Sequence, residues 1–524
     1  MATKVEENSG GPQRAPAMRS EPSEEQRQPH LPWWKNAALP AAALLIYAVL
    51  PTKNYYWDGI SFALRIEHAG NPNSRFFWLN LIHPNHLFYN LLGYAVWRVI
   101  AAIGFHPRAL YVLQGINIVA GAACVWVLQR TLLRLTGSAY LSAALSAIFA
   151  FSALFWKYAT DADAYIGSVF FLVVAFAILS SDRRLRPIPV ALAHCAAMML
   201  HQLALLFFPA AALGLFLKGG WRAVWRYVAL AAAITLPAYY AGYRLQEGAI
   251  RSRTFLQWIT NHTPDSSFTF NLLRDLAISA SSYVRLFFGG TGHALHYFGP
   301  VMMLALILFA IVLTILLARL VRYRNELHLQ TDRSQRDAHF WLPPVSAVWL
   351  GSYLVFLFFW LPQNTFYKLF CLPAIVFLAA YFLRRYAGPQ RNRLALFAAV
   401  MALANFALYI YPYSRPDYNQ SLRFAVRMRP LWSDRTVVYY RVFTVDNWFI
   451  CYFNPETTWK AMNENVGASA LTEAAAQDAT RGYDVWVDTT AAELLAENGP
   501  TTHLGNAQED DYAKHRIRFL HWIK

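Results

Sequence analysis

Apolar stretches of helix length recur along this chain, at 36–52, 109–129, 138–156, 165–181, 227–243, 298–318, 341–361, 368–383 and 394–412. A helix needs about 20 apolar residues to cross the hydrocarbon of a bilayer, with ~17 as a lower limit. Lipid offers no partner for a backbone N–H or C=O, so a chain inside it must satisfy these groups within helices or a closed barrel. Uninterrupted runs of this length predict helices. Only 15% of the 524 residues are charged, against roughly 25% in soluble domains. The chain is therefore expected to be an all-α polytopic membrane protein.

One more block, 188–217, is too long for one straight crossing and short for two. Arg183, Arg184 and Arg186 precede it, and Lys218, Arg222 and Arg226 follow it. Basic clusters mark cytoplasmic loops, so both ends are expected on that side. The chain must then enter and return, turning near His201–Gln202, which brings the expected total to about eleven spans. With that threading, Arg130 and Arg134, the five arginines at 319–336 and the four at 384–393 also fall on the cytoplasmic side. The stretch 86–105, which contains Asn90 and Arg98, must then stay out of the count and is expected to lie in the interface. The net charge of +16 is explained by these loops rather than by a nucleic-acid-binding face. Three of the four cysteines, Cys124, Cys195 and Cys371, lie inside apolar blocks and form no disulfide framework.

Residues 1–33 are rich in Glu, Gln, Pro and Ser and are expected to form a disordered cytoplasmic tail. Residues 34–412 make up the membrane domain. From 413 the character changes, with alternating runs at 436–443, 483–488 and 515–524 and an Ala/Glu-rich stretch at 467–480. That pattern predicts a small α/β domain on the outer face.

The threading places the residues capable of chemistry at the outer ends of helices. Asp58 follows the first span by six residues; an Asp there also serves as a helix N-cap. Asp161 and Asp163 form a D-x-D between the third and fourth spans, where capping of the next helix is the alternative use. His83 and His86 are spaced to bring two imidazoles together for a metal or a phosphate, or simply to flank a turn at Pro84. His201 and Gln202 mark the hairpin turn, and a polar pair at membrane depth lines a wet cavity more often than lipid. His194 reads as an interhelical hydrogen-bonder. Lys368 opens a late span in FYKLFCLPA, where it either snorkels to the interface or offers a counter-charge to an anionic headgroup. Arg251 and Arg253 are placed to share that second task.

These positions resemble the GT-C superfamily of membrane glycosyltransferases, and within it the protein O-mannosyltransferase and lipid A aminoarabinose transferase group. Members have a long first outer loop with an acidic residue close after the first span, interfacial helices, and a second acidic site after the third span. Asp58, the 86–105 stretch and Asp161 with Asp163 match that layout. FYKLFCLPA resembles a Lys-Tyr-Leu-Pro pattern of the aminoarabinose transferases, with Tyr367 before Lys368 instead of after it. Asp58–Gly59 stands where many members have Asp-Glu.

The resemblance implies transfer of a sugar from a polyprenyl-phosphate donor to a hydroxyl of a protein, lipid or glycan acceptor, on the non-cytoplasmic face, in a bacterial inner or plasma membrane. Such a reaction needs cations to hold the departing phosphate and a carboxylate to take the proton of the attacking hydroxyl. The expected catalytic residues are Asp58, Asp161 and Asp163, with His83, His86, His201, Gln202, Arg251, Arg253 and Lys368 at the substrates. A single displacement inverts the anomeric centre. If the D-x-D holds a metal, its oxygen ligands suit Mg²⁺ or Mn²⁺; the metal-free alternative leaves the phosphate to the cationic residues. The competing class is a lipid or solute transporter, which would carry its carboxylates near mid-membrane.

Overall fold

The structure, a computed structural model, describes residues 33–70, 74–181, 186–247, 253–260, 271–290, 341–384, 390–462, 467–498, 504–512 and 515–523. The expected N-terminal tail and the expected span at 298–318 lie outside the described residues.

Helices dominate. The first is α1 (Trp33–Val49), and three short helices follow it: α2 (Trp57–Glu67), α3 (Arg75–Leu81) and α4 (Tyr89–Ala102). With 14 residues and a 1.5 Å rise, α4 is about 21 Å long, too short for a ~30 Å hydrocarbon layer. It buries Tyr89, Asn90 and Gly93 and exposes Leu92 and Val99, an amphipathic arrangement that fits the interfacial expectation for 86–105. The long α5 (Ala109–Thr136) stops at Gly137, whose φ of 64° provides the left-handed C-terminal turn.

Five helical segments are long and apolar enough to cross a membrane: 109–136, 202–247, 342–360, 366–383 and 393–413. These make the chain an integral membrane protein. Shorter apolar helices occupy 37–49, 165–179 and 187–200. Among the described residues the length criterion therefore does not reproduce eleven spans.

The block at 138–156 departs from a straight crossing. It is broken into α6 (Ala139–Ala150) and α7 (Ala153–Ala159), which meet at 68°. The break frees the Phe151 carbonyl, which accepts a hydrogen bond from Asn405 Nδ2 at 2.8 Å. A freed backbone group in an apolar interior needs such a partner. The consequence is directional: α7 delivers the chain to the D-x-D turn, from which α8 (Tyr165–Leu179) departs.

The 188–217 block does reverse near His201–Gln202. Here α9 (Pro187–Leu200) ends, His201 is extended (φ −157°, ψ 124°), and a 3-10 turn at Gln202–Phe207 leads into α10 (Phe208–Glu247). A second reversal sits at Gly220 (φ 64°, ψ −170°), inside α10. Before it, Lys218 Nζ donates to the carbonyls of Leu179 and Ser181 at the end of α8. After it, His194 meets Tyr227 and Met198 meets Tyr239, so the returning segment runs alongside α9 in the same direction. His194 is the interhelical hydrogen-bonder expected, with Tyr227 Oη on Nδ1 and the Ala204 carbonyl on Nε2.

Next come α11 (Phe255–Thr260), α12 (Leu272–Phe287), α13 (Leu342–Trp360), a 3-10 turn at Phe366–Cys371, α14 (Leu372–Leu383) and α15 (Gln390–Asn405), which runs on through a π turn at Phe406–Ile410.

The C-terminal region carries α16 (Gln420–Met428) and α17 (Val445–Phe453), then α18 (Ala468–Thr480) and α19 (Thr489–Asn498). Among them lie strands β1 (Thr436–Tyr440), β2 (Thr458–Ala461), β3 (Asp484–Asp488), β4 (Leu504–Tyr512) and β5 (His515–Trp522). They form one sheet in the order β2-β1-β3-β5-β4, parallel at β2-β1-β3 and antiparallel beyond. The predicted runs at 436–443, 483–488 and 515–524 are strands β1, β3 and β5, and the predicted helix is α18. Alternation places Val437, Tyr439, Val485 and Val487 on one face with Leu471 and Leu495. Val438, Trp486 and Phe519 pack on the other with Phe424 and Ile450.

This region is fastened to the first long loop. Arg108 pairs with Glu67 at 2.9 Å, donates to the Tyr452 carbonyl at 2.8 Å and lies 3.9 Å from the centre of the Tyr452 ring. Trp57 lies tilted against Trp448, and Tyr55 stacks on Phe453. The loop and the C-terminal region thus lie on the same side of the helical bundle.

Candidate active site

The D-x-D turn is built by its neighbours. From α5, Gln114 Nε2 donates to the Thr160 carbonyl at 2.8 Å, and Asn117 Nδ2 donates to the carbonyls of Asp161 (2.7 Å) and Asp163 (2.6 Å). These side chains are three residues apart, one above the other on one helix face. They hold a turn whose buried carbonyls would otherwise lack partners.

The two acids of the turn have different environments. Asp161 is fully buried. It forms an ion pair with Lys157, four residues earlier, and accepts from the backbone N–H groups of Tyr56 (3.0 Å) and Ala162 (2.8 Å). Its oxygens are occupied. Asp163 is equally buried, but only Oδ1 is bonded, to the Ala164 N–H at 2.7 Å. Oδ2 is buried without a hydrogen-bond partner among the described residues. Burial, and after it the charge of Asp58, holds the Asp163 carboxyl well above the usual carboxylate range.

Asp58 reaches the same place from α2. The Gly59 Cα faces the turn so closely that an added Cβ would lie 2.6 Å from the Ala162 carbonyl oxygen. Its neighbour Asp58 is thereby brought close enough to the turn for its charge to act on Asp163 and that of Asp161 to act on it. It is half-buried and has no hydrogen bond to its carboxylate among the described residues. The residue that caps α2, Tyr56, makes no side-chain cap bond, so Asp58 occupies the first turn without serving as the N-cap. Burial pushes its carboxyl up to about 7; Arg65 opposes the rise and Asp161 adds to it. Arg65 is two turns further along α2, half-buried, with no hydrogen bond or ion pair among the described residues. Burial lowers its pKa against the influence of Asp58.

Aromatic rings surround the acids. Tyr56 packs against Tyr158 (6.3 Å) and Phe366 (5.1 Å), Tyr158 against Tyr165 (5.2 Å), and Tyr165 against Phe366 (5.2 Å) and Tyr367 (5.9 Å). The histidines continue this wall. His83 stacks on His86 (5.4 Å), His86 meets His201 (4.8 Å), and His201 lies 5.2 Å from Tyr165. The sequence-predicted trio His83, His86 and His201 is therefore one contiguous group. Gln202 points elsewhere, donating to the Ile259 carbonyl at 3.3 Å.

The predicted cations are arranged differently from the expectation. Lys368 is fully buried, donating to Ser282 Oγ and to the Pro362 carbonyl (2.8 Å), with the Tyr283 ring 4.8 Å away. The 3-10 turn explains this: successive side chains point about 120° apart, so Tyr367 faces Tyr165 while Lys368 faces α12. Arg253 is paired with the buried Glu247, and Arg251 lies outside the described residues. Sequence reasoning missed Lys157, Arg65, Asn117 and Gln114. The i, i+4 spacing of Lys157 and Asp161 and the i, i+7 spacing of Asp58 and Arg65 were the available signals.

Among the described residues no group of three or more His, Cys, Asp or Glu is placed to hold a metal ion. The donor set explains this. The D-x-D offers one carboxylate already neutralised by Lys157 and one with a single remaining oxygen, so the pair does not converge on a cation. A cavity of about 300 Å³ adjoins the site on the far side of Tyr56, lined by Tyr56, Lys157 and Tyr158 together with Asn419, Ser421 and Asp446 from the C-terminal region.

No family model matches the chain, and no curated protein matches it. Solved structures do. ArnT from Cupriavidus metallidurans in the apo state superposes with a TM-score of 0.58 at 10% identity, over 92% of this chain and 97% of that one. ArnT from the same organism bound to undecaprenyl phosphate gives 0.57 at 10% identity over the same shares. ArnT is a GT-C superfamily member, so the fold is the one that the sequence resemblance implied.

Proposed function

We propose that this protein is a membrane glycosyltransferase that moves a sugar from a polyprenyl-phosphate carrier to an acceptor hydroxyl. The observation that carries this reading is Asp58, a carboxylate with no hydrogen bond among the described residues, seated on the buried D-x-D turn. It lies within a fold shared with a protein that binds undecaprenyl phosphate.

A general base works best with a pKa near the operating pH, and Asp58, pushed up to about 7, meets that condition. It takes the proton from the acceptor hydroxyl as the hydroxyl oxygen attacks the anomeric carbon and the bond to the carrier phosphate breaks. Asp163, whose carboxyl is held well above the usual carboxylate range, offers its unbonded Oδ2 to a sugar hydroxyl. Asp161 acts through position, holding the Tyr56 backbone and hence the start of α2. Arg65 holds the phosphate as charge builds on the leaving oxygen, and the His83–His86–His201 group lines the donor side. The cavity beyond Tyr56 receives the acceptor. One displacement inverts the anomeric centre, and the site faces away from the cytoplasm. No step requires a metal.

Mass spectrometry of glycolipids and glycoproteins from cells with and without the protein tests this reading. Loss of one glycan class with accumulation of its lipid-linked precursor is expected. Unchanged glycans with altered uptake or efflux of a solute would favour a transporter.

A further inference from the structure

The cavity on the far side of Tyr56 is small, about 300 Å³, at the lower end of the range of roughly 300–1,000 Å³ for small-molecule sites. Its walls come from the first long loop at 54–57, the end of α7, the π turn with the residues that follow it, and the N-terminal ends of α16 and α17. The C-terminal region therefore closes a space that the membrane helices open beside Asp58.

The apolar part of the lining is aromatic. Tyr56, Trp57, Tyr158, Tyr409 and Tyr413 contribute rings, and Val445 is the one aliphatic side chain among the described lining residues. Tyr409 and Tyr413 lie 4.4 Å apart, Tyr56 and Trp57 5.4 Å. Trp57 is 38% exposed, which leaves part of its indole open. Flat ring faces suit a ligand that is itself a ring, with C–H faces and a polar rim. The polar part supplies both kinds of hydrogen-bonding group. An ammonium carries three N–H donors; that of Lys157 gives one to Asp161 and rests 4.4 Å from the centre of the Tyr158 ring. Ser421 Oγ gives its proton to Asp446 Oδ1 at 3.0 Å, which leaves the Ser421 oxygen as an acceptor. Asn419 accepts from the Leu422 N–H at 2.9 Å and donates to the Lys53 carbonyl at 3.3 Å. These groups are held in place before a ligand enters, which lowers the ordering cost of binding.

A hydroxyl both donates and accepts, and a sugar ring carries hydroxyls around its rim and C–H groups on its faces. A peptide is the poorer match. Extended peptides are taken up through their backbone along a sheet edge, and every described residue that lines this cavity lies on a helix, turn or loop, none on β1–β5. We infer that the acceptor is a saccharide whose terminal ring occupies this cavity, with its C–H face against Trp57, one hydroxyl accepting from Lys157 and another donating to Ser421. The inference rests on the glycosyltransferase reading and names the acceptor class that the reading leaves open. A free oligosaccharide and the headgroup of a glycolipid share this chemistry.

Saturation-transfer NMR of the full chain in nanodiscs reads this binding without donor or turnover. The probes are cellobiose and chitobiose, the water-soluble headgroups released by deacylating bacterial glycolipids, and the tripeptide Ala-Ser-Ala. Saturation of saccharide ring protons, with none on the tripeptide, is expected. Tighter binding of the released headgroups assigns the site to a glycolipid; tighter binding of the free disaccharides assigns it to a soluble glycan. Ser421→Ala should weaken binding roughly fivefold, the usual loss for one hydrogen bond, and Trp57→Ala roughly tenfold, as for an aromatic anchor. Saturation of the tripeptide alone would make the acceptor a protein and overturn the assignment, as would saturation of no probe or wild-type affinity in both folded variants. Saccharide binding in a protein whose loss leaves cellular glycans unchanged would instead remove the glycosyltransferase reading and keep the binding site.

Discussion

The Asp161 carboxylate accepts a hydrogen bond from the backbone N–H of Tyr56 at 3.0 Å, linking segments 105 residues apart in the chain. The bond fixes the turn that opens α2, and with it the position of Asp58. Because Asp161 also neutralises the buried Lys157, it is a positioning residue, while Asp163 keeps an oxygen available.

That difference separates the two acids of the D-x-D by experiment. Asp161→Asn leaves the Lys157 ammonium buried without a counter-charge, which costs about 3–5 kcal/mol when one partner of a buried pair is removed. Its main expected result is a lower melting temperature and yield. Asp163→Asn removes a buried carboxyl that lacks a cationic partner, so stability should hold or rise while turnover falls. Thermal unfolding in detergent, read beside a transfer assay, checks both. The opposite pattern would reverse the roles.

Gly59 gives a second prediction. A Cβ there would lie 2.6 Å from the Ala162 carbonyl oxygen, a backbone atom that cannot swing away. Gly59→Ala should destabilise by about 1–3 kcal/mol through overpacking and should lower activity by displacing Asp58 from the turn. Gly59→Glu, with a larger side chain against the same backbone atom, should be worse. Wild-type melting and activity in Gly59→Ala would mean that the close approach is not needed.

Much of this was legible in the sequence. The apolar blocks announced a membrane protein, the basic flanks of 188–217 located the reversal at His201, and period-2 alternation found β1, β3 and β5. Asp58 does lie near enough to Asp161 and Asp163 for their charges to act on one another. What stayed hidden depended on tertiary geometry. The broken α6–α7 unit reads as one continuous apolar run, because its kink is stabilised by Asn405 from far along the chain. Lys368 was expected beside the phosphate; no sequence pattern tells that a 3-10 turn aims Tyr367 at the acids and Lys368 at Ser282. Strands β2 and β4 were missed because β2 is four residues long and β4 (LGNAQEDDY) lacks β-branched residues.

The cations can be told apart by substrate binding. Arg65→Gln should weaken donor binding roughly tenfold or more, the usual loss for one hydrogen bond to a charged group, with little change in stability. Lys368→Ala should act on stability, because it removes the ammonium that donates to Ser282 Oγ and the Pro362 carbonyl and leaves a gap in a buried site, with Ser282 remaining as a donor to Pro362, a loss of about 1–3 kcal/mol. Donor affinity measured for both variants checks this. Normal affinity in Arg65→Gln with lost affinity in a well-folded Lys368→Ala would return the phosphate to Lys368.

Titration of Asp58 sets a pH dependence. Its carboxyl rises from 3.8 to about 7 on folding, so between those values the folded state binds more protons than the unfolded one. This contribution to stability is fully present below about pH 4 and is lost as pH rises through about 7. Activity has the opposite sign, rising through the same upper value as the base ionises. Asp58→Asn should flatten the stability profile in that window. Melting temperatures of both proteins from pH 5 to 8 provide the comparison, and parallel profiles would remove Asp58 from the account.

The most direct measurement follows release of polyprenyl phosphate from a polyprenyl-phosphate-linked sugar, using the full chain in liposomes that also hold membrane extract as the acceptor source. Wild-type protein and Asp58→Asn are compared at equal folded yield. Asn keeps the size of the side chain, and Asp58 makes no cap bond that it could lose. The account predicts carrier release coupled to sugar transfer by the wild type and a loss of ~10²-fold or more in the variant, with no effect of a chelator. Equal release by both proteins, or release by neither, would contradict it.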